Sequence, residues 1–259
     1  MIMNKIRPSV SVCMASFNGE KYIKQQIVSI LQQLNADDEL IISDDNSEDS
    51  TVAIIHSLND NRIKWHININ SPSIIANFEN SVSRASGEYI FLADQDDIWI
   101  DNKVDMMVHY LTNFDLVVSD CMFINSDGEV QADSYQKLYK SGRGFIKNIV
   151  KNSFLGNCMA FKSDMRDIIL PFPKELHMAS RYHIYHDVWI GLMLSLTCSK
   201  VIFIPLKLSL YRRHESNASP TSTQINRSPN TISQKIIGRY WIVLAVLKRL
   251  LLITSRFFT

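Results

Sequence analysis

The sequence has no CxxC pair, and its four cysteines (Cys13, Cys121, Cys158 and Cys198) are scattered. That excludes a disulfide framework and a thiolate zinc site, and buried free thiols in a reducing compartment fit better. The seven histidines show no zinc spacing either. Glycine is scarce, at eight residues. No GxGxxG follows the first apolar run and no GxxxxGKS occurs, so no glycine loop cradles a phosphate. Met1 to Arg7 lacks an apolar core, so no secretory signal is expected. The longest uncharged apolar run near the C-terminus, Tyr240 to Leu247, is too short to span a bilayer and is ended by Lys248-Arg249. No Ser/His/Asp arrangement points to a covalent nucleophile. Acid is missing altogether after Glu215, where six basic residues occur. The rest of the chain then holds 21 basic against 26 acidic residues, a formal −5. A mildly acidic body carries a basic tail, and no nucleic-acid partner is expected.

What is present is a core-forming composition, 46% hydrophobic over 259 residues, enough for one large domain or a domain with an appendage. Ser9 to Ala15 reads as a buried strand ending in the turn Ser16-Phe17-Asn18-Gly19. From Glu20, apolar residues at 23, 27, 30, 31 and 34 recur at helical spacing. Glu39 to Ser43 is a second strand, ending in Asp44-Asp45-Asn46-Ser47, and a short helix follows. Ile63 to Ile69 alternates as a third strand, and Ala76 to Ser86 is helical up to Gly87. Tyr89 to Ala93 is the fourth strand, breaking into Asp94-Gln95-Asp96-Asp97. Strands alternating with helices predict a mostly parallel α/β sheet.

Three of these strands end in polar clusters: Ser16/Asn18, Asp44/Asp45 and Asp94/Asp96. In a parallel sheet those ends share one edge, where ligands bind. Asp94 and Asp96 point the same way in extended chain. Such hard oxygen ligands suit Mg²⁺ or Mn²⁺, which bind one or two carboxylates plus substrate phosphates. An acidic surface turn would read the same from sequence, and one of Asp44 and Asp45 would serve as a helix cap.

Val12 to Ile23, Ile42 to Ser47, and Ala93 to Trp99 resemble, in order, the signature segments of glycosyltransferase family 2. The resemblance covers roughly residues 8–215. It implies the GT-A fold: a Rossmann-like mixed, mostly parallel sheet flanked by helices, here with a C-terminal amphipathic helical tail. The DQDDIW form, with HDVW and YRRH later, is similar to the rhamnosyltransferase-like branch of bacterial surface-polysaccharide enzymes. The chain departs from the family at Asn70-Ser71-Pro72-Ser73, where relatives often carry a glycine-containing turn. By position, Ala15 and Phe17 would line the nucleotide pocket, and Asp45 would bind the base. Asp94 would face the ribose or donor sugar, and Asp96 would ligate Mn²⁺ or Mg²⁺. Asn18, Glu20, Asn77, Gly156 and Asn157 would join the substrate site. Asp187, which opens an apolar helix and reads otherwise as its N-cap, would be the general base, with His186 as an orienting neighbour. His214 would close over the metal or diphosphate.

The resemblance implies an inverting transfer from dTDP-rhamnose or a UDP-hexose to a lipid-linked oligosaccharide in O-antigen or capsule biosynthesis, on the inner face of the bacterial cytoplasmic membrane. A metal-dependent sugar nucleotidyltransferase and a non-catalytic nucleotide- or sugar-binding module are the alternatives. The expected organisation is a catalytic domain over 1–215, with a nucleotide-sugar half over 8–115 and an acceptor half over 116–215. Within the latter, 131–146 reads as a mobile acceptor-side loop. A linker or lid over 216–230 and a helix over 231–259 follow. On that helix Lys235, Arg239, Arg249 and Arg256 fall within roughly a 100° arc. A basic stripe on an apolar helix suits an anionic membrane surface; a core-packing or dimerising helix is the competing reading.

Overall fold

The computed structural model describes residues 7–70, 72–197, 200–215, 217 and 230–255. In chain order its elements are β1 (Val10–Ser16), α1 (Ile23–Leu31), β2 (Glu39–Asp44), α2 (Thr51–Ser57), β3 (Ile63–Ile67), α3 (Ile74–Ser83) and β4 (Tyr89–Asp94). Then come β5 (Ile98–Trp99), α4 (Lys103–Leu111), β6 (Leu116–Ile124), β7 (Val130–Ala132), α5 (Tyr135–Tyr139), α6 (Phe145–Val150) and β8 (Met159–Lys162). The last are α7 (Arg166–Ile169), α8 (Lys174–Ser180), α9 (His186–Thr197), β9 (Val201–Arg212) and α10 (Ile232–Ser255).

One sheet runs β3-β2-β1-β4-β8-β6-β9-β5, with β7 paired to β6. The first four strands are parallel, as a βαβ pattern requires. β8 then enters antiparallel to both β4 and β6, so chain from the second half is wedged into the sheet. The result is the mixed, mostly parallel α/β sheet expected from the alternation of strands and helices.

Side-chain alternation along β1 divides the core. Val10, Val12 and Met14 face one layer with Ile23, Ile27 and Ile30 of α1. Cys13 faces the other, with Ile75, Phe78 and Val82 of α3 and most of α9. The thiols of Cys13, Cys121 and Cys158 are free and buried, as expected; Cys198 lies outside the described residues.

α9 is apolar all round and correspondingly buried on every side. Trp189 anchors it, its Nε1 donating to the Ile169 carbonyl at 3.0 Å. Gly191 lies against the Phe154 ring so closely that a Cβ would meet it at 2.3 Å. Gly191→Ala should therefore destabilise by about 1–3 kcal/mol through overpacking, read as a lowered denaturation midpoint with unchanged slope.

Two expectations are corrected here. Residues 131–146 hold defined structure, including β7, α5 and the start of α6. The stretch is held because Ser134 caps α5 and the Asp120 carboxylate accepts from the Gln136 N–H at 2.9 Å. The basic stripe of the C-terminal helix is not offered outward as a unit either. α10 docks on the body, burying Ile242, Ala245 and Val246. Arg249 is buried, donating to the carbonyls of Ile168, Leu170 and Pro171. Arg239 donates to those of Ile149 and Val150. A guanidinium has five donors, and these carbonyls have no ladder to join, so packing draws both arginines inward. Arg256 and most of the expected linker lie outside the described residues.

Candidate active site

Strand register builds the site's edge. Ser16 of β1 is paired with Asp44 of β2, and Ala15 with Asp94 of β4. The three strands therefore end level, and their polar residues converge. A cavity of about 460 Å³ opens there, within the range of small-ligand sites. Ala15, Phe17, Asp45, Asn77, Asp94 and Asp96 line it from the strand side. Gly156, His186 and Asp187 close it from the α9 side.

Asp44 is structural. It is fully buried, and its carboxylate accepts from the Ser47 N–H at 2.7 Å and the Ser16 hydroxyl at 2.6 Å, fixing the turn after β2. Asp45 turns into the cavity, held by the Asn68 side-chain amide. Burial pushes its carboxyl above the usual range. Phe17 is 54% exposed at the mouth, an aromatic face open to a planar ring. Asn77 donates to the Ser16 carbonyl at 2.9 Å, while its side-chain oxygen, also buried, has no partner among the described residues.

Asp96 is bracketed by side chains from beyond β9. Its Oδ2 lies 2.8 Å from His214 Nε2 and accepts from the Asn217 amide at 2.9 Å. Burial and the charges of Asp96 and Asp187 push Asp94 up to about 8. Asp187 is the second residue of α9, so it is not the N-cap expected from sequence; its carboxylate accepts from the Val188 N–H at 2.7 Å within the first turn. Burial still raises it to about 6, a poised carboxylate. His186 stacks on Phe78 with centroids 3.6 Å apart. Burial pushes its imidazole down to about 3, so the ring is neutral, and neither nitrogen has a partner among the described residues. The ring lines the cavity beside Asp187, with both nitrogens buried.

Four expected residues are not in the cavity lining: His214, which meets it through Asp96, and Asn18, Glu20 and Asn157. Asn18, at φ 45°, uses its side chain on the Glu48 N–H, and Glu20 accepts from the Ser50 N–H, so both brace the loop after β2. Asn157 is fully buried; its amide donates to Asp97 and its carbonyl accepts from Lys103.

Beneath the cavity is a layer the sequence reading did not assign. Asp97 is buried and accepts from the Arg212 N–H at 2.8 Å. Arg212, itself buried, donates to the Asp96 carbonyl at 2.8 Å and to Gln25 at 2.9 Å, and lies 4.5 Å from the Tyr22 ring centroid. Lys103 Nζ bonds the Asn157 carbonyl and Ser209 hydroxyl and lies 4.6 Å from the Trp99 ring centroid. The only sequence cue to this layer is the surplus carboxylate in Asp94-Gln95-Asp96-Asp97.

Among the described residues, no three or more His, Cys, Asp or Glu side chains are grouped to enclose a metal. The pair of Asp96 and His214 nevertheless fits a divalent ion of the kind that takes one or two protein ligands and completes its shell with phosphates.

The family model described as glycosyl transferase family 2 matches residues 11–169, more than half of the chain. A UDP-Glc:alpha-D-GlcNAc-diphosphoundecaprenol beta-1,3-glucosyltransferase of Escherichia coli is 32% identical over 56% of this chain and 61% of its own length. A GalNAc(5)-diNAcBac-PP-undecaprenol beta-1,3-glucosyltransferase of Campylobacter jejuni is 31% identical over 57% of this chain and 48% of its own. A dTDP-rhamnosyl transferase of Shigella flexneri is 30% identical over 53% of this chain and 45% of its own. The matches thus span about half the length of these curated relatives. Staphylococcus aureus TarS 1–349 in complex with UDP-GlcNAc superposes with a TM-score of 0.65 at 17% identity, over 93% of this chain and 72% of that one. In complex with UDP the TM-score is 0.63 at 18% identity, over 80% and 61%. At such identities the likeness is one of fold.

Proposed function

The chain belongs to glycosyltransferase family 2, and from that premise we propose that it transfers a sugar, with inversion, from a nucleoside-diphosphate donor to a lipid-linked saccharide. One observation carries the reading: a single cavity joins the strand-end carboxylates Asp45, Asp94 and Asp96 to Asp187 at the start of α9. The donor lies over residues 8–115, with its base between Phe17 and Asp45 and its ribose or sugar against Asp94. The acceptor enters against 116–215, past Gly156 and His186.

Asp187 takes the proton from the acceptor hydroxyl as that oxygen attacks the anomeric carbon. The glycosidic bond to the diphosphate breaks on the opposite face, so one base suffices and no covalent nucleophile is needed. Neutral His186 lines the cavity beside the base without adding charge to it. Asp96 and His214 would hold Mn²⁺ or Mg²⁺, which supplies positive charge against the departing nucleoside diphosphate. A nucleotidyltransferase would leave Asp187 with no proton to take. UDP-hexose and dTDP-rhamnose remain the donor classes, because relatives of both kinds stand at similar identity. The undecaprenol-linked acceptors in the relatives' names support the acceptor class. They also support a place at the membrane surface, in the O-antigen or capsule type of assembly.

Calorimetry with UDP and with dTDP tests the reading. Affinity for one of them should fall roughly 10–100-fold when Mn²⁺ is replaced by EDTA, the weight of a charge-assisted contact. Asp96→Ala should abolish the difference. Equal affinity with and without metal, in wild type and variant alike, would sink the metal assignment.

A further inference from the structure

Arg239, Lys248 and Arg249 of α10 are engaged by carbonyls or a carboxylate of the body, whereas another group of cations has no carboxylate partner among the described residues. Between Asp133 and Asp164 the chain carries six lysines and arginines and no acid. Lys162 pairs with Asp115 at 2.9 Å. Lys137, Lys140, Arg143, Lys147 and Lys151 are all exposed. Among the described residues no carboxylate lies within ion-pair distance of them.

Apolar side chains are interleaved with them. On α6, Ile146 is 75% and Val150 61% exposed, four apart and so on one face. Lys147 adjoins them on α6, with Lys151 at its C-terminal cap and Arg143 just before its N-terminal cap Gly144. Arg239 ties the C-terminal end of α6 to α10, one residue from Tyr240 and three from Ile236. There a second apolar row begins. Ile232, Ile236, Tyr240, Leu247 and Leu251 are each more than half exposed, at spacings that keep one helix face. Most of the large apolar side chains exposed among the described residues belong to these two helices.

The surface is built, not loose. Asn148 donates to the carbonyls of Gly142 at 3.0 Å and Gly144 at 2.8 Å, and accepts from the Ser153 N–H at 2.8 Å. It also connects to the cavity. Tyr139, at the end of α5, accepts from Arg213 at 3.1 Å and packs on Phe123, which in turn meets Tyr211 of the cavity lining.

We infer that the α6 and α10 faces together form a docking surface for an anionic lipid bilayer, which holds the acceptor side of the cavity toward the membrane. Unpaired cations beside exposed apolar rows match anionic headgroups over acyl chains. A second copy of the chain is disfavoured, because a two-fold interface would set these cations near their own images. Spanning is not involved: no helix among the described residues is long and apolar enough to cross a membrane. The inference rests on the transferase reading for the lipid acceptor, but its physical basis is separate.

Flotation with vesicles tests it. The protein should float with phosphatidylglycerol-rich vesicles at low salt, far less at high salt, and not with pure phosphatidylcholine. Each cation near an anionic leaflet is worth roughly fivefold in binding. Arg143→Glu/Lys147→Glu/Lys151→Glu should therefore weaken binding by about 10²-fold or more, while UDP affinity stays unchanged. Flotation without binding of either UDP or dTDP would keep the surface and overturn the transferase reading. Three outcomes would overturn the surface: flotation of the triple variant equal to wild type, equal flotation on phosphatidylcholine, or a dimer by light scattering that Ile236→Glu/Leu251→Glu converts to monomer.

Discussion

Asp187→Asn should lower turnover by about 10²–10⁴-fold, the usual worth of a positioned general base. UDP affinity should hold within a fewfold, since Phe17, Asp45 and Asp96 lie on the strand side of the cavity. The helix should survive, because an asparagine oxygen can still accept the Val188 N–H that Asp187 accepts at 2.7 Å. Stability gives an independent check on sign. Burial raises this carboxyl from its ordinary value of 3.8 to about 6. A raised folded value means a contribution present below pH 3.8 and lost as pH climbs through about 6. At neutral pH the ionised group is a net burden on the fold, so the neutral variant should unfold no more easily than wild type. Wild-type kcat should rise with pH through about 6 and then level off, as the base loses its proton. Full activity in Asp187→Asn would leave the residue only its hydrogen bond in the first turn of α9.

Lys103→Ala should cost about 3–5 kcal/mol of folding stability, the second large effect. The ammonium is fully buried, and burial pushes it down to about 8. Two hydrogen bonds and the Trp99 ring hold it among the charges of Asp94 and Asp97. Without it, Asp97 keeps its burial and loses a positive charge from its surroundings. The Asn157 carbonyl also loses its ammonium donor. Adding Asp97→Asn to Lys103→Ala should return part of the loss, a non-additivity that urea denaturation of the two single variants and the double variant would measure. Additive losses would mean that the lysine acts by packing alone.

The strand ends were legible because a parallel α/β pattern sets them level before any contact is known. That brought Asp45, Asp94 and Asp96 together from sequence, and the family signature supplied Asp187. Asp97, Lys103 and Arg212 were illegible for the opposite reason. Their roles depend on burial, and a lysine at a helix start reads as a solvated cation until the structure encloses it. Asn18 and Glu20 show another limit. Turn residues next to a ligand site share its composition, and only the hydrogen bonds to Glu48 and Ser50 show where they point. For α10, helical spacing placed the arginines on one arc, but spacing cannot say which arc meets the body. The free carbonyls at Ile168, Leu170 and Pro171 decided that.

Arg212 has a consequence for how the molecule comes into being. It joins Gln25, 187 positions earlier, and Asp96 and Asp97. Asn217 reaches back 121 positions to Asp96. Every carboxylate of the cavity has therefore been made before the groups that bracket Asp96. Until β9 pairs beside β6, a nascent chain carries like charges gathered at one sheet edge with Lys103, but not Arg212 or His214, to oppose them. Such long closures are slow. The cavity matures last, after the sheet that frames it, so a chain cut short before Arg212 would hold most of the fold and an open, self-repelling site.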